Sequence, residues 1–227
     1  LIDYDQVAKL TASDAAADDE FGYSVAIDGD TVVVGATGAG TGGAVYVLRT
    51  SDGGATYVEV AKLTASDAAA GDRFGCSVAI DGSTVVVGAG WENGYQGSAY
   101  IFRTSDGGAT YGQVAKLTAA DASVANFFGV SVAIDGGTIV VGAYSDDDGG
   151  SESGSAYVFL TTDGGATYAQ VAKLTASDGA ANDQFGGSVA IDGTTVVVGT
   201  YYGEAAYVFL TTDGGATYDE VAKLTAA

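Results

Sequence analysis

The chain repeats one motif along nearly its whole length. The hexapeptide Val-Ala-Lys-Leu-Thr-Ala begins at Val7, Val60, Val114, Val171 and Val221, at spacings of 53, 54, 57 and 50 residues. A repeat of this length is typical of chains built from supersecondary units that pack on one another and share a core. We therefore expect a single repeat-built domain over residues 1–227.

Each repeat contains four apolar segments that are too short and too rich in β-branched residues to be helices. The first begins with Phe-Gly, and an Asp-Gly pair such as Asp28-Gly29 separates it from the second. Asp-Gly between two apolar runs predicts a tight hairpin, because glycine accepts the positive φ that such a turn requires. Each repeat is therefore predicted to be a four-stranded antiparallel meander, and the chain an all-β protein.

Meanders of this size arranged radially form a β-propeller. The sequence predicts four tandem four-stranded blades at about residues 12–66, 67–120, 121–177 and 178–227, with residues 1–11 as an additional outer strand. Either terminal strand can complete the last blade, but not both. The spare strand then predicts addition to the edge of a neighbouring subunit; the alternative is that the chain is a segment of a longer repeat array.

The repeat carries a specific resemblance to a known family. Phe-Gly-x-Ser-Val-Ala followed by Val-Val-Val-Gly-Ala, as at residues 21–36, resembles the FG-GAP repeat of integrin α-subunit head propellers and of many extracellular microbial proteins. The resemblance covers residues 7–227. It implies an integrin-like β-propeller, an extracellular or cell-surface location and a role in cell adhesion. Calcium-binding members carry an Asp-x-Asp-x-Asp-Gly loop between strands 1 and 2, which is shortened here to Ile-Asp-Gly-x-Thr.

Composition excludes several functions. The formal net charge is −21, from 29 acidic and 8 basic residues, and binding to nucleic acid or to an anionic membrane requires clustered Lys and Arg. The chain has no His and one Cys, so Ser-His or Cys-His nucleophiles and a zinc site are unsupported. No carboxylate pair is singled out by an apolar setting as glycosidase chemistry would require. We predict that the protein is not an enzyme and does not insert into a membrane.

The loops between strands 2 and 3 differ from repeat to repeat, as expected of a recognition surface on a repeating scaffold. Together with the loops between blades they are predicted to form one face of the propeller. Aromatic side chains beside amide and carboxylate groups can stack on a sugar ring or anchor a protein partner. The alternative is a lid folded over the ring opening. The candidate ligand-binding residues are Trp91, Glu92, Asn93, Tyr95, Tyr144, Tyr201 and Tyr202.

Acidic residues raise two further expectations. Asp146, Asp147 and Asp148, with Glu152 nearby, are candidate ligands for a calcium ion; the alternative is a solvated run of charge. No other cofactor is expected. Two recurring positions are predicted to cap loop backbone, because the side-chain oxygens of Asp and Asn accept hydrogen bonds from backbone N–H groups. They are Asp19, Asp72 and Asp183, with Asn126 in the third repeat, and Asp14, Asp67, Asp121 and Asp178.

The single cysteine, Cys76, is predicted to be a small buried strand residue, because its equivalents are Tyr23, Val130 and Gly187.

These observations predict an extracellular, non-enzymatic structural or adhesive repeat protein that presents its loop face for protein contact or self-assembly. One alternative is a carbohydrate-binding propeller that uses the aromatic residues of the 2–3 loops. Another is a subunit of an extracellular filament or sheath joined by strand exchange. The predicted partners are thus a protein or glycan on the loop face, or a second copy through a terminal strand.

Overall fold

The computed structural model describes residues 6–225. Within them, sixteen strands form four antiparallel sheets, and the strands of each sheet follow one another in chain order. Blade 1 contains β1 (Phe21–Asp28), β2 (Thr31–Ala36), β3 (Ala44–Arg49) and β4 (Val58–Leu63). Blade 2 contains β5 (Ser77–Asp81), β6 (Thr84–Ala89), β7 (Ser98–Arg103) and β8 (Gly112–Leu117).

The second half of the chain repeats this plan. Blade 3 contains β9 (Ser131–Asp135), β10 (Thr138–Ala143), β11 (Ser155–Leu160) and β12 (Ala169–Leu174). Blade 4 contains β13 (Phe185–Asp192), β14 (Thr195–Thr200), β15 (Ala205–Leu210) and β16 (Asp219–Thr225). The predicted all-β propeller of four meander blades is confirmed. A short helical turn, α1 (Glu92–Tyr95), lies in the β6–β7 loop, and no helix in the described part is long and apolar enough to cross a membrane.

The Asp-Gly hairpins form where the sequence places them. Asp28 pairs with Thr31 and Asp192 with Thr195 at the ends of their ladders, and Gly29 and Gly193 have φ values of 52° and 55°. Only glycine takes up this left-handed conformation without strain, so the turn residue fixes the register of the first two strands.

The first strand of each blade lies innermost. β1 contacts β5, β5 contacts β9, and β9 contacts β13, so the blades are arranged around an axis in chain order. In the described part of the chain, no comparable packing joins blade 4 back to blade 1. The four blades therefore form an open arc.

Each junction between blades is a hydrophobic core with two distinct halves. The half contributed by the earlier blade, here called the back face, contains Val33, Val47 and Leu63 in blade 1. The half contributed by the later blade, the front face, contains Phe74 and Tyr100 in blade 2. The same pairing of faces recurs between blades 2 and 3 and between blades 3 and 4. The repeat thus encodes one interface that is used three times.

The two ends of the arc expose the faces that have no neighbouring blade. Val25 on the front face of blade 1 is 68% exposed, whereas its equivalents Val78 and Val132 are 9% exposed. On the back face of blade 4, Leu224 is 54% exposed, whereas Leu63 is 3% exposed. Apolar side chains that are buried inside the arc therefore face solvent at its ends.

The N-terminal copy of the hexapeptide takes a different place from the C-terminal one. β16 pairs with β15 and completes blade 4. Residues 6–12 belong to no strand, and residues 1–5 of the predicted extra strand lie outside the described part of the chain. Leu10 and Ala12 nevertheless pack on the front face of blade 1, as Leu63 and Ala65 pack on blade 2. The N-terminal segment thus stands where the fourth strand of a preceding blade would lie.

Candidate functional site

A cavity of about 480 Å³ lies on the loop face, where side chains of all four blades meet. Its walls are largely aromatic, and a cavity of this size can hold a small ligand. The lining residues are Tyr23, Cys76, Trp91, Val130, Tyr144, Gln184, Tyr201 and Tyr202.

The repeat itself builds the cavity floor. Tyr23, Cys76 and Val130 occupy the same position, directly after Phe-Gly in the first strand segment of each blade. In blade 4 this position is Gly187, and a Cβ atom there would lie 2.8 Å from the ring of Tyr201. The missing side chain therefore makes room for the Tyr201 ring to enter the cavity.

Aromatic contacts hold the rim residues in place. The rings of Tyr144 and Tyr201 meet edge to face at 5.5 Å, and Tyr144 stacks on Phe127 at 5.0 Å. Trp91 also packs edge to face with Phe127 at 5.6 Å, and the Arg73 guanidinium lies 5.1 Å from the Trp91 ring. Each aromatic pair contributes about 0.5–1.5 kcal/mol of stability beyond that of burying its apolar area, so the cavity wall is preformed.

The structure brings together four of the seven predicted ligand-binding residues, namely Trp91, Tyr144, Tyr201 and Tyr202, and places the other three outside the cavity lining. Tyr95 stacks on Phe127 at 5.3 Å. The Glu92 carboxylate forms an ion pair with Lys116 at 2.7 Å, and Asn93 donates a hydrogen bond to Gln96. These polar side chains are therefore engaged within the protein.

Sequence reasoning missed four lining residues, Tyr23, Cys76, Val130 and Gln184, and also Phe127, on which the wall residues pack. A signal was present, because each lies at a repeat position whose residue changes from blade to blade. The position before Phe-Gly is Glu20, Arg73, Phe127 and Gln184 in the four copies. Variation at a position inside the repeat, and not only in the loops, marks the side chains that reach the cavity.

The described lining of the cavity contains no Asp, Glu, Lys or Arg side chain. Burial raises the pKa of the Cys76 thiol to about 11, and burial also raises the pKa of Tyr144 and of Tyr201. The Gln184 amide donates to the Glu152 carboxylate at 2.7 Å, which fixes the orientation of the amide. Among the described lining residues, the polar atoms are therefore hydroxyl, amide, indole and thiol groups.

Cys76 is buried, as predicted, but it precedes β5 rather than lying within it.

The acidic loop of blade 3 is organised around a lysine. The Lys173 ammonium lies 2.6 Å from Asp121, 3.0 Å from Asp146 and 2.5 Å from Asp148. These are the three carboxylates close enough together to share a cation. The ammonium thus occupies the space between these carboxylates and supplies one positive charge there.

The other two predicted calcium ligands face elsewhere. Asp147 accepts a hydrogen bond from the Glu152 backbone N–H at 2.7 Å, and the Glu152 carboxylate accepts from Gln184. The structure therefore groups Asp146 and Asp148 with Asp121, and separates them from Asp147 and Glu152. Asp146 also accepts hydrogen bonds from Ser155 and Tyr157, so its main contacts are internal.

The two recurring acidic positions have different roles. Asp19, Asp72 and Asp183 accept hydrogen bonds from the backbone N–H of the residue three positions earlier, at 2.7, 2.6 and 2.8 Å, as predicted for loop capping. The Asn126 amide, in the third repeat, instead donates to the Asp146 carboxylate at 2.8 Å. The capping prediction is also wrong for Asp14, Asp67 and Asp178. Each accepts from a buried tyrosine and a lysine of the following blade, so these carboxylates join blades.

Comparison with known proteins identifies the family. The FG-GAP repeat family matches four segments, at residues 4–48, 57–102, 111–159 and 168–218. These segments cover most of the chain, and each of the last three runs from the fourth strand of one blade to the third strand of the next. The chain belongs to the FG-GAP repeat family. No curated protein matches its sequence.

Solved structures share the fold at low sequence identity. A protein of Bacteroides uniformis, described as a candidate 6-phosphogluconolactonase, superposes with a TM-score of 0.61 at 16% identity over 91% of this chain and 57% of its own. Sqt1 of Saccharomyces cerevisiae gives 0.56 at 10% identity, over 92% and 49%. A Lactobacillus plantarum protein gives 0.60 at 13% identity, over 90% and 55%. This FG-GAP protein spans about half the length of the structures it matches, and the likeness shows the fold alone.

Proposed function

We propose that this FG-GAP protein is an extracellular, non-enzymatic adhesive module that binds a neutral glycan in the aromatic cavity of its loop face. The observation that carries the proposal is the meeting of Trp91, Tyr144, Tyr201 and Tyr202 in one cavity of about 480 Å³. They come from the variable loops of three blades, whereas the scaffold beneath them repeats. Variable side chains on a rigid scaffold are the arrangement that recognition sites use.

The chemistry of the cavity favours a sugar over other ligands. Aromatic rings present flat apolar faces on which the C–H face of a pyranose can stack, and phenol and amide groups can hydrogen-bond its hydroxyls. An anionic ligand is disfavoured by a chain of net charge −21 and by a lining without a cationic side chain. A protein side chain inserted into the cavity is the alternative adhesive ligand.

The same lining supports a non-enzymatic role. Cys76 is the one thiol of the chain, and its raised pKa keeps it protonated at neutral pH, whereas a nucleophilic cysteine needs a lowered pKa. The lining includes no carboxylate to act as general acid or base.

A glycan array tests the proposal. We expect the native protein to bind at least one neutral glycan, and Tyr202→Ala to weaken that binding about tenfold or more, since truncating an aromatic residue that anchors a ligand costs about 2 kcal/mol or more. Tyr202 is 73% exposed, so its removal leaves the core intact. Val124→Ala is the control, because Val124 is a 67% exposed loop residue outside the cavity lining.

Binding that survives both Tyr202→Ala and Tyr201→Ala would contradict the placement of the glycan in this cavity. No binding to any glycan, together with capture of a protein ligand that Tyr202→Ala abolishes, would establish the protein-binding alternative at the same site.

A further inference from the structure

The open ends of the arc carry the two halves of the interface that joins its blades. We propose that copies of this chain associate head to tail: the back face of blade 4 of one copy packs on the front face of blade 1 of the next, and residues 7–12 of the second copy form the outer strand they share. This inference concerns the ends of the arc and does not depend on a ligand in the aromatic cavity.

The apolar surfaces of the two ends are complementary, because equivalent front and back faces pack against each other at the three junctions inside the chain. The exposed front face of blade 1 includes Val25 and Ile27, whose equivalents in blades 2 and 3 pack against the preceding blade. On the back face of blade 4, Val197 and Val208 are half-buried, whereas their counterparts Val33 and Val47 are fully buried. A second copy would bury both sets of side chains in the packing that the chain uses three times.

The hydrogen bonds of the junction also have their donor exposed at one end of the arc and their acceptor exposed at the other. Ser24 donates to the Gly75 carbonyl at 2.7 Å, and the contact recurs from Ser77 to Gly129 and from Ser131 to Gly186. In blade 4 the equivalent donor, Ser188, is exposed. The matching acceptor at the other end is the carbonyl of exposed Gly22. One head-to-tail contact would pair this donor with this acceptor.

A second polar contact follows the same rule. The carboxylate of Asp28 accepts from the Gly82 N–H at 2.7 Å, and Asp81 and Asp135 repeat the contact with the next blade. Asp192 of blade 4 and Gly29 of blade 1 are its exposed halves.

Close backbone approach points to the same partner. A Cβ atom on Gly35, Gly88 or Gly142 would lie 1.9–2.1 Å from a carbonyl oxygen of the next blade, so these positions admit only glycine. The equivalent in blade 4 is Gly199, where the surrounding contacts come only from Ser188 of the same blade. Within one copy Gly199 therefore leaves the space that another blade would fill.

The N-terminal segment supplies the connection between copies. Residues 7–12 and 221–226 are the same hexapeptide. The segment is anchored to its own blade 1, because Ser13 bonds to Glu59 through backbone and side chain at 2.9 Å and Asp14 accepts from Tyr46 at 2.7 Å. The same anchors, Ser177 to Glu220 and Asp178 to Tyr207, attach the strand of blade 3 to blade 4.

Exchange of identical strands costs little. β16 pairs with β15 through a ladder that runs from Ala205↔Thr225 to Leu210↔Asp219. When residues 7–12 of the next copy replace β16, they carry the same side chains as residues 221–226 and remake the ladder from Ala205↔Thr225 to Val208↔Ala222, and the contacts of the segment with its own blade 1 are kept. Exchange of an identical element between protomers is a low-cost route to assembly. The net gain is the buried end faces.

Light scattering against protein concentration tests the association. The native chain should exceed its monomer mass of 22.4 kDa as concentration rises, more strongly at high salt, because each copy carries a net charge of −21. Val25→Lys should hold it at the monomer mass by placing a charge on the end face. Val58→Lys is the matched control, since Val58 is 64% exposed on β4, away from both end faces, and it should associate like the native chain.

The opposite end has its own variant. The double change Ser188→Ala with Gly199→Ala places a methyl group where the next blade must approach, and it should also give monomers. Ser188→Ala alone removes a single hydrogen bond and should weaken association less. A native chain that stays monomeric at all concentrations and salt conditions, or an association that Val25→Lys leaves unchanged, would overturn the proposal.

Cross-linking tests the shared strand. In a Cys76→Ala background, Thr11→Cys on one copy and Ala205→Cys on another should form an intermolecular disulfide, because Thr11 takes the place of Thr225 opposite Ala205. Val58→Cys in place of Ala205→Cys is the control and should not cross-link. Association without the Thr11–Ala205 cross-link would refute the strand exchange.

Discussion

The packing between blades can be tested at a single glycine. Gly88 lies on β6 of blade 2, where a Cβ atom would come within 1.9 Å of the Gly129 carbonyl oxygen and 2.9 Å of its carbonyl carbon. That carbonyl cannot move freely, because it accepts from the Ser77 hydroxyl at 2.8 Å. Gly88→Ala must therefore separate blades 2 and 3.

The expected loss follows from this geometry. Overpacking a core costs about 1–3 kcal/mol, and contact with a fixed backbone carbonyl puts Gly88→Ala at about 3 kcal/mol. For a chain of this length, a loss of about 3 kcal/mol lowers Tm by about 6–12 °C. Thermal unfolding followed by circular dichroism measures the change, with all variants in a Val25→Lys background so that association does not contribute.

The chain contains its own control. Gly199 is the equivalent of Gly88, and a Cβ atom there meets only the Ser188 side chain, whose hydroxyl lies 2.4 Å away and can rotate. Gly199→Ala should therefore lower Tm by far less than Gly88→Ala. Equal losses at the two positions would refute the account, because the cost would then come from the strand itself and not from the neighbouring blade.

Three further predictions concern charge and the thiol. Hydrogen bonds from threonine in the turns lower the pKa of Asp52 and of Asp213 to about 2. The stability that these two carboxylates contribute is present above pH 3.8 and should be lost as pH falls through about 2. Replacing both with Asn should reduce this loss, measured as the free energy of unfolding in urea titrations at each pH. Cys76 should react with a disulfide reagent at neutral pH only after denaturation, as measured by thiol release. Lys173→Met should cost about 3 kcal/mol by leaving Asp146 buried without a cation, and calcium should leave the native Tm unchanged.

Most of the fold could be predicted because the sequence signals for the turns and strands occur four times. Asp28-Gly29 and its copies fix the first hairpin of every blade, and the apolar alternation of β1 shows which side chains face the neighbouring blade. The choice between the two terminal strands could not be made in advance. Residues 7–12 and 221–226 have the same sequence, so local preference is equal and only the connection to the rest of the chain separates them.

The site was predicted in part for a related reason. Trp91 and Tyr202 stand out because no other repeat has the same residue at their position, and both reach the cavity. Tyr95 and Glu92 stand out equally in the sequence but lie outside the cavity lining. Tyr95 stacks on Phe127, and Glu92 forms an ion pair with Lys116. A single sequence identifies a variable loop. It does not determine which side chains of that loop line the cavity and which form stacking or ion-pair contacts with neighbouring elements.

Tryptophan fluorescence tests the central claim most directly, because Trp91 is the one tryptophan of the chain and lines the cavity. Titration with a neutral glycan that the protein retains on an array should shift or quench its emission in a saturable way. Tyr202→Ala should weaken the apparent affinity, and Val124→Ala should leave it unchanged. A glycan that binds while the Trp91 emission stays constant would contradict the assignment of this cavity as the ligand site.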